Sequence, residues 1–323
     1  MIAMSLDTHH DVEISPCRKC ESQVFDDERF CEVCGTRVVE EAAQAHADAQ
    51  RASDREELDL GSIAAISDRG LVRRRNEDAM AIALSGDRSL AVVCDGVAST
   101  ANPDLAARAA AEEVLLHLEP LLSTAEPLTA EELAEQMRAA FARAQQAVLS
   151  IPDDEPDGSD LSPSTTAVAA IVTPERSVVG NVGDSRAYWL SRHDCQLLTT
   201  DDSMAEEMIA EGMAPEDAYT HPNAHGITRW VGADAESEGP ALVEMPVPGP
   251  GVLLLCTDGL WNYFRNPAQL GDLVFEAGTP PVAGATAKRL TDAALESGGR
   301  DNITVAVCIV PPNPKQTNGR TEE

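Results

Sequence analysis

Three apolar runs in this chain meet a carboxylate at one end, and that placement limits the fold more than any other feature. SLAVVC (89–94) runs into Asp95-Gly96, GVLLLCT (251–257) runs into Asp258-Gly259, and Asp301-Asn302 opens ITVAVCIV (303–310). Short apolar runs bounded by turn residues read as buried strands. A buried strand with Asp at its rim holds the carboxylate rigidly, and several such rims can converge on a hard cation. A fourth group, Asn76-Glu77-Asp78, follows a run of arginines and precedes AMAIAL. A single Asp-Gly is an ordinary turn. Repeated at the ends of similar strands, these groups together suggest a polycarboxylate centre for Mg²⁺ or Mn²⁺.

The rest of the chain is consistent with two folded units. GSIAAIS, AMAIALS, STTAVAAIV, SVVGNVGD and SRAYWLS are further strand candidates. Helices are expected at Pro103–Leu118, with Pro near the start, and from Thr129, where Glu132 completes a capping box. Two more are expected around 267–276 and 280–296. The polar stretch 201–225, with one short helical segment, reads as a surface flap. Strands come in runs and helices in pairs, which indicates an α+β fold with antiparallel sheets. The expected division is a flexible N-terminus (1–16), a cysteine-bearing unit (17–36), a charged linker (37–60), a catalytic domain (61–310) and a disordered tail (311–323).

Cys17, Cys20, Cys31 and Cys34 form two Cys-x-x-Cys knuckles, the second followed by Gly35. Two knuckles can close a tetrahedral thiolate shell around one structural Zn²⁺, a zinc ribbon that depends on its metal to fold. The other reading is two redox pairs or disulfides. Cys94, Cys195, Cys256 and Cys308 are scattered, and behave in the expected case as small buried hydrophobes. Lys plus Arg number 24 against 55 Asp plus Glu, a net charge of −31. So acidic a chain is a poor binder of nucleic acid or of an anionic membrane. With no apolar span or leader visible, a cytoplasmic address is expected. Aromatic residues are only 3%, so the core must be built mainly from Ala, Val, Leu and Ile.

Taken in order, the motifs resemble those of the type 2C, metal-dependent serine/threonine protein phosphatases (the PPM family), bacterial type. The run 67–78 (SDRGLVRRRNED) is similar to that family's first motif and AVVCDGVAS to its second. Ser164-Thr165-Thr166-Ala167, NVGDSRAY, LTTDD, ITRWVG, LLLCTDGLWN and GGRDNITV follow in the family's order. The resemblance covers about residues 61 to 310. It implies a sandwich of two antiparallel sheets flanked by helix pairs, and hydrolysis of phosphoserine and phosphothreonine by a metal-activated water at a binuclear Mn or Mg centre. It further implies that Asp95 bridges two ions and that Gly96 offers its carbonyl to one of them. Asp258 and Asp301 would ligate the second ion, Glu77 and Asp78 would hold metal waters, and Asp184 would serve a third ion. Arg73 would clamp the phosphate.

The chain departs from the family in two places. Asp95-Gly96 is followed by Val97-Ala98-Ser99 where the family has Met-Gly-Gly, and Asp202 stands where the flap commonly has His. Many eukaryotic members place a general-acid His directly after the Asp-Gly, a role that Val97 cannot fill. His221 and His225 in the flap are expected to be solvated. Phosphoproteins made by a Ser/Thr kinase system are the expected substrates, with the ribbon either docking a protein partner or simply packing on the catalytic domain. The alternative is a pseudophosphatase that keeps the fold as an interaction module. The intact set Asp95, Asp258 and Asp301 weighs against it.

Overall fold

The computed structural model describes residues 14–16, 23–25, 55–126, 128–152, 161–233, 239–247, 249–275 and 280–311. The chain divides into two units, 1–54 and 55–323. In the first, β1 (Ile14–Pro16) pairs antiparallel with β2 (Gln23–Phe25). A strand thus occupies the end of the stretch expected to be a flexible N-terminus. Cys17, Cys20, Cys31 and Cys34, residues 37–54 of the expected linker and the tail 312–323 lie outside the described residues.

The second unit contains two antiparallel sheets. One is six-stranded, in the order β11 (Cys195–Leu197), β10 (Arg186–Leu190), β14 (Gly251–Cys256), β15 (Ile303–Val310), β4 (Ile63–Asp68), β3 (Arg55–Asp59). The other is five-stranded: β13 (Ala241–Pro246), β9 (Arg176–Val182), β8 (Ala167–Val172), β6 (Arg88–Asp95), β5 (Asp78–Ser85). A short pair, β7 (Ser164–Thr165) with β12 (Val231–Gly232), completes the strands.

Alternation along the central strands shows why their apolar runs are unbroken. In β6, Ala91 and Val93 join the layer between the sheets, with Trp189, Leu253 and Ala306 from the other sheet. Leu90, Val92 and Cys94 point the opposite way, onto α1 (Pro103–Leu118) and α2 (Ala130–Leu149). In β14, Leu253 and Leu255 face inward, while Val252, Leu254 and Cys256 meet α6 (Pro267–Val274) and α7 (Ala283–Glu296). Both faces of each sheet are therefore covered, and both faces of the strand must be apolar. The helix α1 presents Ala106, Ala107, Ala110 and Ala111 to the sheet. Small residues let its backbone approach closely, which is how a core with few aromatic rings reaches native density. The Thr129–Glu132 capping box at the start of α2 forms as expected.

Two expectations need correction. Residues 55–59, assigned to the linker, form β3 at the sheet edge. Its sequence, REELD, lacks an apolar pattern because an edge strand faces water, and charge on such an edge discourages pairing with other chains. Cys195 is only half-buried, unlike Cys94, Cys256 and Cys308.

Candidate metal centre

The carboxylates at the strand rims come together. A cavity of about 160 Å³ is lined by Arg73, Glu77, Asp95, Gly96, Asp184, Asp258 and Asp301, all singled out by the sequence, and also by Val97, Ala98, Thr166, His225 and Ile227. Each ligand candidate arrives on a different element. Asp95 ends β6, Asp184 lies in the turn between β9 and β10, and Asp258 opens the short helix α5 (Asp258–Trp261). Asp301 lies two residues before β15, and Glu77 immediately precedes β5.

Backbone close approach holds these termini in place. A Cβ on Gly259 would sit 1.8 Å from the Asn302 carbonyl oxygen, so the Asp-Gly of 258–259 and the Asp-Asn of 301–302 abut directly. Gly70, at φ +78°, presses on the Asp301 carbonyl in the same way. Asn302 ties the arginine loop to this point: its Nδ2 donates to the carbonyls of Arg69 (2.8 Å) and Arg75 (3.0 Å), and its Oδ1 accepts from the Glu77 N–H (2.9 Å). The Gly96 N–H donates to the Glu77 carbonyl. Thr166 locks the start of β8 against Asp95: its N–H donates to the Asp95 carbonyl, and its Oγ1 accepts from the Asp95 N–H.

Asp78 lies behind the cavity wall. Its Oδ2 accepts from Thr304 Oγ1 (2.7 Å) and Thr257 Oγ1 (3.0 Å), while its buried Oδ1 has no hydrogen-bond partner. Asp258 shows the same half-satisfied state. Its Oδ2 accepts from Asn262 Nδ2 (3.0 Å), and its buried Oδ1 is unpartnered. Two of the cavity's carboxylates hold arginines. Arg73 Nη2 lies 2.6 Å from Asp301 Oδ2, and Arg75 Nε lies 2.8 Å from Glu77 Oε1.

The electrostatics are those of a site short of positive charge. Burial, followed by the charge of neighbouring carboxylates, pushes Asp78 and Asp258 up to about 7. The same two causes hold Asp95 and Asp184 well above the usual carboxylate range. Buried polar atoms normally find partners, so the orphaned Oδ1 atoms of Asp78 and Asp258 fit the need for cations here. Among the described residues no three His, Cys, Asp or Glu side chains are gathered tightly enough to hold a metal ion by themselves. The carboxylates line a roomy cavity instead. That suits ions which bind one or two carboxylates and keep several waters.

A family profile described as protein phosphatase 2C matches residues 72–293. This chain belongs to the protein phosphatase 2C family. Among its relatives, the serine/threonine phosphatase stp of Listeria monocytogenes serovar 1/2a is 31% identical over 241 residues, which are 74% of this chain and 92% of the relative. The serine/threonine protein phosphatase PstP of Mycobacterium tuberculosis (strain H37Rv) is 32% identical over 249 residues, 76% of this chain and 44% of the relative. The crystal structure of the catalytic domain of PstP, in complex with two manganese ions, superposes with a TM-score of 0.60 at 29% identity. The match covers 77% of this chain and 97% of that one. As a type 2C phosphatase the chain is a metal-dependent serine/threonine protein phosphatase, of a family that uses a binuclear Mn/Mg centre.

The family motifs did not reveal the whole lining. His225, expected in solvent, lines the cavity, whereas His221 does not. The backbone explains this: the Met204 N–H donates to the Gly226 carbonyl and the Ala205 N–H to the Ala224 carbonyl, which folds the 221–226 turn back over the start of α3 (Met204–Ala210). The flap carries two short helices, α3 and α4 (Pro215–Ala218), where one was expected. Asp202, which replaces the family's His, is structural. Its carboxylate accepts from the Gly183 N–H (2.9 Å) and from Arg229 Nη1 (3.1 Å), closing the neck of the flap.

Proposed function

We propose that this chain hydrolyses phosphoserine and phosphothreonine in proteins at the cavity shared by Arg73, Asp95, Asp184, Asp258 and Asp301. The observation that carries the reading is the convergence of these five residues on one cavity. In this reading Asp95, with the Gly96 carbonyl, Asp258 and Asp301 hold two Mn²⁺ or Mg²⁺ ions, Asp184 serves a third, and Glu77 and Asp78 orient waters. When bound, the ions supply a water of lowered pKa and positive charge for the phosphoryl oxygens. Arg73, partly exposed beside the cavity, orients the phosphate and stabilises charge on its oxygens. Among the lining residues there is no cysteine. The one lining hydroxyl, Thr166 Oγ1, is committed to Ser185 (2.7 Å) and the Asp95 N–H, which favours water as the nucleophile. Retention of the whole set weighs against a pseudophosphatase.

Substrates in this reading are phosphoproteins made by serine/threonine kinases. No helix among the described residues is long and apolar enough to cross a membrane, which is compatible with a cytoplasmic address. Cys17, Cys20, Cys31 and Cys34 hold one structural Zn²⁺ in a ribbon that docks a protein partner, a reading supported by their spacing. The test is turnover of a phosphoserine peptide by the purified chain with Mn²⁺, its loss in EDTA and its return on adding Mn²⁺ back. Turnover that survives chelation would overturn the metal role. Elemental analysis should find one zinc in the full chain, and none in a chain beginning at Ser53.

A further inference from the structure

The flap side of the cavity carries a cation with no carboxylate partner. Arg265, in the loop between α5 and α6, is exposed and forms no ion pair among the described residues. Its guanidinium carbon lies 5.5 Å from the centre of the Tyr219 ring. That ring is itself fixed, because the Tyr219 hydroxyl donates to Glu206 Oε1 (2.5 Å) at the first turn of α3. A cation stacked on an anchored aromatic face is held without being neutralised.

The contrast with Arg186 is informative. Arg186 also sits near Tyr219, at 5.9 Å, but it is buried, lies over Trp261 and makes a two-pronged bond to Asp201. Its charge is spent on holding the flap's root. Arg265 has no such duty, in a chain where acidic residues outnumber basic ones by 55 to 24. Glu206, Glu207, Glu216 and Asp217 on the neighbouring flap helices form no ion pair with it. Arg265 is also tied to the cavity side: it stacks on the same ring as Arg186, two residues after Asp184 of the cavity wall, and follows by four residues Trp261, whose Nε1 donates to the Asp184 carbonyl. After burial, the charge of Arg265 is the first electrostatic cause lowering the pKa of His225, a residue of the cavity wall.

We propose that Arg265, propped on Tyr219 beside the cavity, recognises an acidic side chain close in sequence to the phosphorylated residue of the protein substrate. The inference rests on the protein-phosphatase reading and narrows its substrate class. Arg73 already lines the cavity that would receive the phosphoryl group, so Arg265 remains for a neighbouring group. The acidic flap helices repel an acidic segment everywhere except at this cation, which fixes the substrate's register.

The experiment compares kcat/KM of the holoenzyme on two matched phosphoserine peptides, one with acidic and one with neutral flanking residues, and on p-nitrophenyl phosphate. The expected preference for the acidic peptide is about tenfold, the scale of one charge-assisted contact of about 1.4 kcal/mol. Arg265→Ala should remove that preference and leave p-nitrophenyl phosphate turnover unchanged, which also shows that the variant is folded. Arg265→Lys should keep most of the preference, and Arg265→Glu should reverse it. A preference that persists in Arg265→Ala, or no preference in the parent enzyme, overturns the inference. A parallel loss on p-nitrophenyl phosphate places the guanidinium on the phosphoryl group and overturns it too. Turnover of p-nitrophenyl phosphate with none of either peptide overturns the underlying protein-phosphatase reading, and this inference with it.

Discussion

Asp78 stands directly opposite Asp95 across the β5–β6 ladder. Like charges in that relation repel, and burial strengthens the repulsion. Burial, and after it the charges of Asp301 and Asp258, raise Asp78 from 3.8 to about 7, while burial and the charge of Asp78 hold Asp95 well above the usual carboxylate range. The folded, ion-free chain therefore holds protons between about pH 4 and pH 7 that the unfolded chain has released. Its stability should fall as pH rises through that window. In EDTA, Tm is expected to drop by several degrees between about pH 5 and pH 8, and Mn²⁺ should flatten the slope by neutralising the pair. Thermal melts across that range check this; a Tm that climbs instead would show that the carboxylates do not repel as placed.

Asp258→Asn keeps the shape of the side chain and its bond to Asn262 while removing a charge. Turnover should fall by at least roughly 100-fold, as for a lost metal ligand. The ion-free fold should be as stable as the parent or more so, because one member of a repelling group is gone. Steady-state kinetics and an EDTA melt measure the two effects separately.

Gly259→Ala tests the contact between the two carboxylate-bearing corners. The added Cβ meets the Asn302 carbonyl at 1.8 Å, and backbone has to move. A loss of about 1–3 kcal/mol is expected in urea unfolding, with activity reduced because Asp258 and Asp301 are both displaced. An inert substitution would mean that the corners are not in contact.

Arg73→Ala should lower kcat/KM on a phosphopeptide by roughly 100-fold, as when a donor to a charged oxygen is removed. Its ion pair with Asp301 is partly exposed on both sides, so stability should change by less than about 1 kcal/mol. Arg73→Lys should recover part of the activity, though not the guanidinium's forked geometry.

The two-sheet core was legible because the central strands are buried on both faces and read as continuous apolar runs. The rim carboxylates were legible because each strand places one at its end, and the order of the motifs tied them together. What escaped was set by contacts distant in sequence. The arrival of His225 at the cavity depends on backbone bonds between the 224–226 turn and residues 204–205, which leave no periodic trace. The role of Asp202 depends on Gly183 and Arg229 being brought to it. The engagement of Arg73 with Asp301 spans more than two hundred positions. Gly259 reads from the sequence as an ordinary turn residue, yet it and Gly70 are each needed because another backbone passes where a Cβ would lie.

The strand β3 changes where the catalytic unit can be cut. It covers the edge of β4, whose six residues Ile63–Asp68 are all buried. Arg55 of β3 also holds Asp68 Oδ2 at 2.9 Å, and Asp68 Oδ1 accepts the Gly70 N–H at the turn that presses on Asp301. A chain trimmed to Gly61 would lose this brace and bare an apolar, unpaired edge, the kind that recruits other chains. It should elute as oligomers in size-exclusion chromatography, whereas a chain beginning at Ser53 should stay dispersed. The five residues of β3, four of them charged, thus serve as the selvedge of the sheet, keeping the fabric beside the active centre from fraying.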